Sequence, residues 1–330
     1  MDILRKKPEK INIPRPPSGV IRFDEPMALH TTFRIGGLAD VWVRPQGDCF
    51  PGYAAELLGF AHSEGLPVFV LGGGANLVVA DRGIRGIVLD SGGWTGWEVL
   101  TGPQADPGAS GREAFPAVHV RSGTAIDILA DGLAGQGWAG PEFLAGMPGT
   151  VGGAVWMNAR CQERSISDLL IETEIINMEG ASFTPFWVPY KDEDFSYKRS
   201  PFQTRKSLIT AARFSLKRGE PENLRRTVAA LRRNREAKGH FRAPSAGSAF
   251  KNNRSFEKPT GKIVDELGLR GFSIRGASIA PWHGNFIINT GHATASDIRV
   301  LTETVIEKVY AALGLTLEPE ILFVGDWGEG

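Results

Sequence analysis

A chain of 330 residues is long enough for two or three domains, each with its own core. Its 37 lysines and arginines equal its 37 aspartates and glutamates, so no global field favours nucleic acid or a membrane surface. Two cysteines, Cys49 and Cys161, offer neither metal-ligand spacing nor a disulfide framework, as in a reducing cytosol, and no apolar run approaches the ~20 residues of a bilayer span.

Residues 1–20 are charged and proline-rich, without the apolar stretch of a signal peptide, and read as a flexible tail. After Phe33, β-type runs alternate with helical stretches. Ala39–Pro45 alternates like a strand, and the apolar spacing of Ala54–Glu64 predicts a helix stopped by Gly65. Residues 67–71 and 86–90 look like buried strands flanking a glycine loop. Trp97–Arg121 holds two strand-like runs around a Gly/Pro-rich segment at 101–116, Ala125–Leu133 reads as helix, and 169–178 and 207–216 as further strands. Composition shifts near Lys217, where a domain boundary is placed near residue 218. Residues 218–239 form a charged amphipathic helix introduced by Pro221. A helix at 261–267, strands at 274–280 and 285–289, a long helix at 295–313 and a last strand at 321–325 complete the chain. The arginine-rich face of the 218–239 helix suits solvent, nucleic acid, or a diphosphate reached by its C-terminal end.

Two segments are unusually rich in glycine. LGGGANLVV, Leu71–Val79, follows a strand, so its consecutive N–H groups can form a nest for phosphate, with Asn76 beside it. Leu144–Ala159 carries Gly146, Gly149, Gly152 and Gly153 together with Pro148 and the hydroxyl of Thr150. Two close-approach backbones suggest a large phosphate-bearing ligand between them. The G-x-G-x-x-G match at Gly135–Gly140 lacks the strand before and the helix after that a dinucleotide fingerprint requires, so it reads as a helix stop. Downstream, Ser248 stands among small residues and Glu320 opens an apolar strand. The six histidines show no ligand spacing, and no metal is expected.

In order, HTTFRIGG (30–37), LGGGANLVV (71–79), MPGTVGGAVWMNA (147–159), YKRSPFQ (197–203), GSAFKN (247–252), GKIVDELGLRG (261–271) and LEPE (317–320) resemble the UDP-N-acetylenolpyruvoylglucosamine reductase (MurB) family. The resemblance runs from about residue 25 to 325. It implies an α+β protein: a two-subdomain FAD-binding fold of the vanillyl-alcohol oxidase kind over 21–218, split near 92–115, then a separate α+β substrate domain over 219–330 that closes over a UDP-sugar. Noncovalent FAD would sit on Gly72, Gly73, Gly74, Ala75, Asn76 and Leu77, along Gly146, Pro148, Gly149, Thr150, Gly152 and Gly153, and against Ile209. NADPH would be the co-substrate, sharing the substrate cleft, which fits the missing fingerprint.

The resemblance gives Ser248 the proton-donor role and makes Glu320 the acidic catalytic residue. Where the family shows Y-R-x-S, this chain has Tyr197-Lys198-Arg199-Ser200, so Lys198 or Arg199 would bind the substrate carboxylate; neighbours on a strand face opposite ways, and an ungapped match takes Lys198. Leu322 stands where the family often has arginine. Tyr197, Asn252, Lys238, Arg235 and His283 would contact the sugar nucleotide. No tyrosine lies between Gln203 and Ser248, so the chain resembles the shorter second type of the family. A monomeric enzyme of the bacterial cytoplasm follows, serving peptidoglycan precursor synthesis without nucleic-acid or membrane partners. The alternatives are another flavin oxidase of the same cofactor fold and a non-catalytic flavin-binding descendant.

Overall fold

The computed structural model describes residues 12–101, 116–180 and 182–328. They form three α+β lobes around a common cleft.

In the first lobe, β1 (Gly19–Pro26) pairs antiparallel with β2 (Leu38–Pro45). Helix α1 (Phe50–Ser63) then leads to β3 (Val68–Leu71), β4 (Leu77–Val79) and β5 (Ile84–Asp90). The sheet order is β1-β2-β5-β3, with β5 parallel to both neighbours. Phe50, Tyr53, Ala54, Leu57, Leu58 and Ala61 form one face of α1, which packs on Val41, Val43, Ile87 and Leu89. The segment expected as tail is partly structured. Ile13 is buried in this core, and the Tyr53 hydroxyl donates to the Pro14 carbonyl at 2.7 Å.

The second lobe holds β6 (Trp97–Leu100), β7 (Ala117–Arg121), α2 (Ile126–Gly135), α3 (Val151–Met157), β8 (Leu170–Asn177), β9 (Phe186–Pro189) and β10 (Ser207–Ser215). Its sheet is antiparallel throughout, in the order β9-β8-β10-β7-β6. The predicted 101–116 loop lies, but for its ends, outside the described residues. Helix α4 (Pro221–Ala237) begins with proline at its first turn, as predicted. By packing it belongs with the second lobe rather than the third: Leu224 and Val228 sit on Ala130, Ala134 and Ala145, and Arg232 pairs with Asp127 and Asp131. A boundary at 218 therefore cuts through a packed helix pair.

The third lobe is β11 (Ser245–Ser248), α5 (Thr260–Glu266), β12 (Ser273–Ile274), β13 (Ala277–Ile279), β14 (Phe286–Asn289), α6 (Ala295–Leu313) and β15 (Leu322–Val324). The predicted single strand at 274–280 is instead a hairpin of β12 and β13, because Arg275 takes a left-handed φ of 50° and turns the chain. Helix α6 fills the core with Ile298, Leu301, Val305 and Val309, joined there by Phe33, Ile35 and Val78 of the first lobe. Strand β15 returns to pair in parallel with β4. Asp81 of the first lobe also accepts from Ala295 N (2.7 Å) and Ser296 N (2.9 Å) at the start of α6. The first and third lobes are thus tied by a shared core, a strand pair and a helix cap.

Candidate active site

The cleft has a volume of about 650 Å³, within the range of small-molecule and cofactor sites. One wall is the loop between β3 and β4; the facing wall is Met147–Ala154. Their glycines answer first to each other. A Cβ on Gly72 would lie 2.7 Å from Thr150 Oγ1, and one on Gly73 would lie 2.6 Å from Gly149 Cα. Gly74, at φ 60°, would strike the His30 carbonyl at 2.0 Å. Past this contact Gly72–Ala75 and Gly149, Thr150, Gly152 and Gly153 line the cleft. Among the described residues, the N–H groups of Gly73, Gly74 and Ala75 donate to no protein acceptor, which fits a pyrophosphate in that nest. The second glycine segment also hides α3, capped by Thr150, whose hydroxyl accepts from Gly153 N at 3.4 Å.

Of the residues expected to hold a cofactor, Gly72, Gly73, Gly74, Ala75, Asn76, Leu77, Pro148, Gly149, Thr150, Gly152, Gly153 and Ile209 line the cleft. Gly146 does not; its N–H donates to Asp127 Oδ1 at 2.6 Å, fixing the start of the loop. The Asn76 amide donates to the Glu320 carbonyl at 3.0 Å rather than waiting for a phosphate. It joins the glycine loop to the segment that carries Glu320.

Ser248, Lys198 and Glu320 meet on the same cleft. Ser248 ends β11 after a bulge in which Gly247 takes φ 78°. Glu320 is set beside that strand because its N–H donates to the Ala249 carbonyl at 2.8 Å. Residues 196–199 are a turn, not the strand assumed from the sequence. Lys198 sits at its tip with φ 58°, held by Gln203 Nε2 donating to its carbonyl at 3.0 Å. Its Nζ lies 2.5 Å from Glu320 Oε1, and both side chains are nearly buried, at 12% and 11% exposure. Arg199 is exposed and lies outside the lining.

The expected sugar-nucleotide residues divide. Arg235 lines the cleft. Tyr197, Asn252, Lys238 and His283 do not. The Tyr197 hydroxyl accepts from Asn252 N at 3.3 Å, and burial raises its pKa, with the Glu320 charge acting in the same direction. The Asn252 side chain accepts from Thr260 N at 2.9 Å, at the head of α5. Lys238 is exposed. His283 stacks on Phe286 at 4.1 Å and accepts from Asn285 N at 3.1 Å. Sequence reasoning missed Arg160, Gln203 and His240, which also line the cleft. Arg160 and His240 form no pattern with their neighbours, and Gln203, which closes the YKRSPFQ motif, has no local signal for its direction; only packing reveals it. Among the described residues no cluster of three or more His, Cys, Asp or Glu could hold a metal ion, and no helix is long and apolar enough to cross a membrane.

Residues 53–184 match the family description "FAD binding domain". With the glycine cradle, this places the chain among FAD-binding oxidoreductases of α+β fold. Residues 239–324 match "UDP-N-acetylenolpyruvoylglucosamine reductase, C-terminal domain". The chain is 37% identical over 326 residues to the UDP-N-acetylenolpyruvoylglucosamine reductase of Treponema denticola, covering 96% of this chain and 97% of that one. Against the same-named protein of Treponema pallidum, identity is 35%, with coverages of 93% and 94%. The solved UDP-N-acetylenolpyruvylglucosamine reductase of Thermus caldophilus superposes with a TM-score of 0.68 at 28% identity, over 92% of this chain and 98% of that one. The chain belongs to the UDP-N-acetylenolpyruvoylglucosamine reductase family. The third-lobe match disfavours a general flavin oxidase.

Proposed function

We propose that this protein reduces the enolpyruvyl group of UDP-N-acetylglucosamine enolpyruvate to give UDP-N-acetylmuramate, using NADPH and noncovalent FAD, in the bacterial cytoplasm during peptidoglycan precursor synthesis. The observation that carries it is the meeting of Ser248, Lys198 and Glu320 on a cleft walled by the glycine cradle. Bound FAD supplies hydride transfer from NADPH to the enolpyruvyl carbon.

The residues account for the rest. Addition of hydride to the terminal carbon of the enolpyruvyl group pushes charge into the substrate carboxylate as an enolate. Lys198 provides a fixed positive charge for it, with one point of attachment where arginine would offer a fork. Ser248 delivers a proton to the neighbouring carbon from one face. A serine hydroxyl is a weak acid, so the basicity of the enolate drives the transfer. Glu320 holds Lys198 and assists protonation; its own position is fixed through Asn76 and Ala249. The Gly73–Ala75 N–H groups would hold the FAD pyrophosphate, and Pro148–Gly153 would hold the flavin.

Single-turnover kinetics test this reading. In Ser248→Ala, NADPH should still bleach the flavin, while reoxidation by the enolpyruvyl sugar should fall by at least ~10². Normal reoxidation would remove Ser248 from the proton-donor role.

A further inference from the structure

Arg235 lies on the last turn of α4 and faces the cleft. Three residues earlier on the same helix, Arg232 is bound to Asp127 and Asp131. Arg235 has no carboxylate partner among the described residues, and its Nε is buried without a hydrogen-bond acceptor. A guanidinium withdrawn from water without a counter-ion is costly, and it is correspondingly receptive to an anion. Its neighbours are instead the Cys161 thiol, a side-chain hydrogen-bond partner, and a ring nitrogen: His240 Nδ1 lies 3.4 Å from Arg235 Nη2.

We infer that His240 is a positioning residue that holds the Arg235 guanidinium on the cleft wall as a cation ion-paired to no carboxylate, so that it takes the diphosphate of the UDP-sugar. The inference rests on the reading of the substrate given above. An aspartate at this place would orient Arg235 equally well but would neutralise it. A neutral imidazole accepts the N–H and leaves the charge for the ligand. For that, Nδ1 must be the unprotonated nitrogen, the tautomer that this hydrogen bond requires. Burial, reinforced by the positive charge of Arg235, pushes His240 down to about 3, which keeps it an acceptor throughout the neutral range. The ring is itself fixed: it packs edge-on against Phe286 at 4.6 Å, and Trp282 Nε1 donates to the Gly239 carbonyl at 3.1 Å, anchoring the turn that carries it.

Calorimetric titration of the FAD-loaded protein with UDP and with uridine tests the assignment. His240→Leu removes the acceptor, and His240→Asn restores one near the position of Nδ1. His240→Leu should weaken UDP on the order of tenfold while uridine stays within about twofold, and His240→Asn should recover UDP to within about threefold. Equal loss of UDP and uridine would mean a change of cleft shape and would overturn the proposal. So would a His240→Asn variant as weak as His240→Leu. Arg235→Gln separates the partners: unchanged UDP affinity there would remove Arg235 from the diphosphate, whatever His240 does. Failure of the wild-type protein to reduce the enolpyruvyl sugar would instead defeat the functional reading, and the nucleotide titrations do not depend on it.

Discussion

Gly73→Ala and Gly153→Ala separate a glycine demanded by the protein from one demanded by a ligand. A Cβ on Gly73 would lie 2.6 Å from Gly149 Cα and 3.2 Å from its carbonyl carbon. Both are backbone atoms, so the loops must part by roughly 1 Å to restore ordinary contact, a strain of the kind that costs about 1–3 kcal/mol. For a domain of this size that is a fall in Tm of roughly 5 °C. Because these loops are also the walls of the cleft, the same shift should lower FAD occupancy. A Cβ on Gly153 meets only Thr150 Oγ1 at 3.6 Å, an ordinary contact, and Gly153 lies inside α3, where alanine is a better helix former. Its substitution should leave the Tm of the FAD-free protein unchanged or slightly raised, yet weaken FAD, because the added methyl group enters the cleft. Thermal unfolding with and without FAD, together with the ratio of flavin to protein absorbance, reads both effects. Wild-type stability and flavin content in Gly73→Ala would refute the claim that the two glycine segments are in contact at their limit.

Lys198→Met should lower kcat by ~10²–10³ with flavin content unchanged, since it removes the cation nearest Glu320, whereas Arg199→Ala should stay within about twofold. Steady-state kinetics with the enolpyruvyl sugar distinguish them, and a large loss in Arg199→Ala would reverse the choice of cation. Asp81→Ala frees the Ala295 and Ser296 N–H groups at the head of α6 and should cost about 1–2 kcal/mol, read by urea unfolding, with faster amide exchange at those two positions. His240, held near 3 in the folded protein against ~6.5 when unfolded, binds its proton more readily in the unfolded chain. Its contribution is constant above about pH 6.5, and stability falls as pH drops through the window from there down to about 3. His240→Asn should flatten that part of the stability profile; an unchanged slope would place the acid sensitivity elsewhere.

The sequence determined the elements whose signals are local. Helix α6 runs over 295–313 as read, because the Thr294–Asp297 capping box starts it and Gly314, at φ 68°, ends it. Pro221 opens α4 for the same kind of reason, and GQGWAG is a helix stop because Gly137 turns the chain at φ 77°. The ordered motifs carried the family with them. Tertiary structure decided what no local signal encodes. The Tyr197–Ser200 stretch reads as a strand but is a turn, and which of Lys198 and Arg199 enters the cleft follows from a left-handed residue that the sequence does not announce. Helix α3 was hidden by Gly152 and Gly153, residues that disfavour helices in isolation; Ser122 leaves no room for a Cβ at Gly152, and Gly153 lines the cleft. Arg235 and His240 acquire meaning only from their meeting on the cleft, where among the described residues Arg235 is ion-paired to no carboxylate. The Lys198–Glu320 pair depends on Asn76 reaching Glu320 across 244 residues of sequence, and no periodicity or cap spans that distance. Hydrogen-bonded ends and hydrophobic faces are written residue by residue, whereas the direction of a side chain into a cleft is fixed by three lobes packing at once.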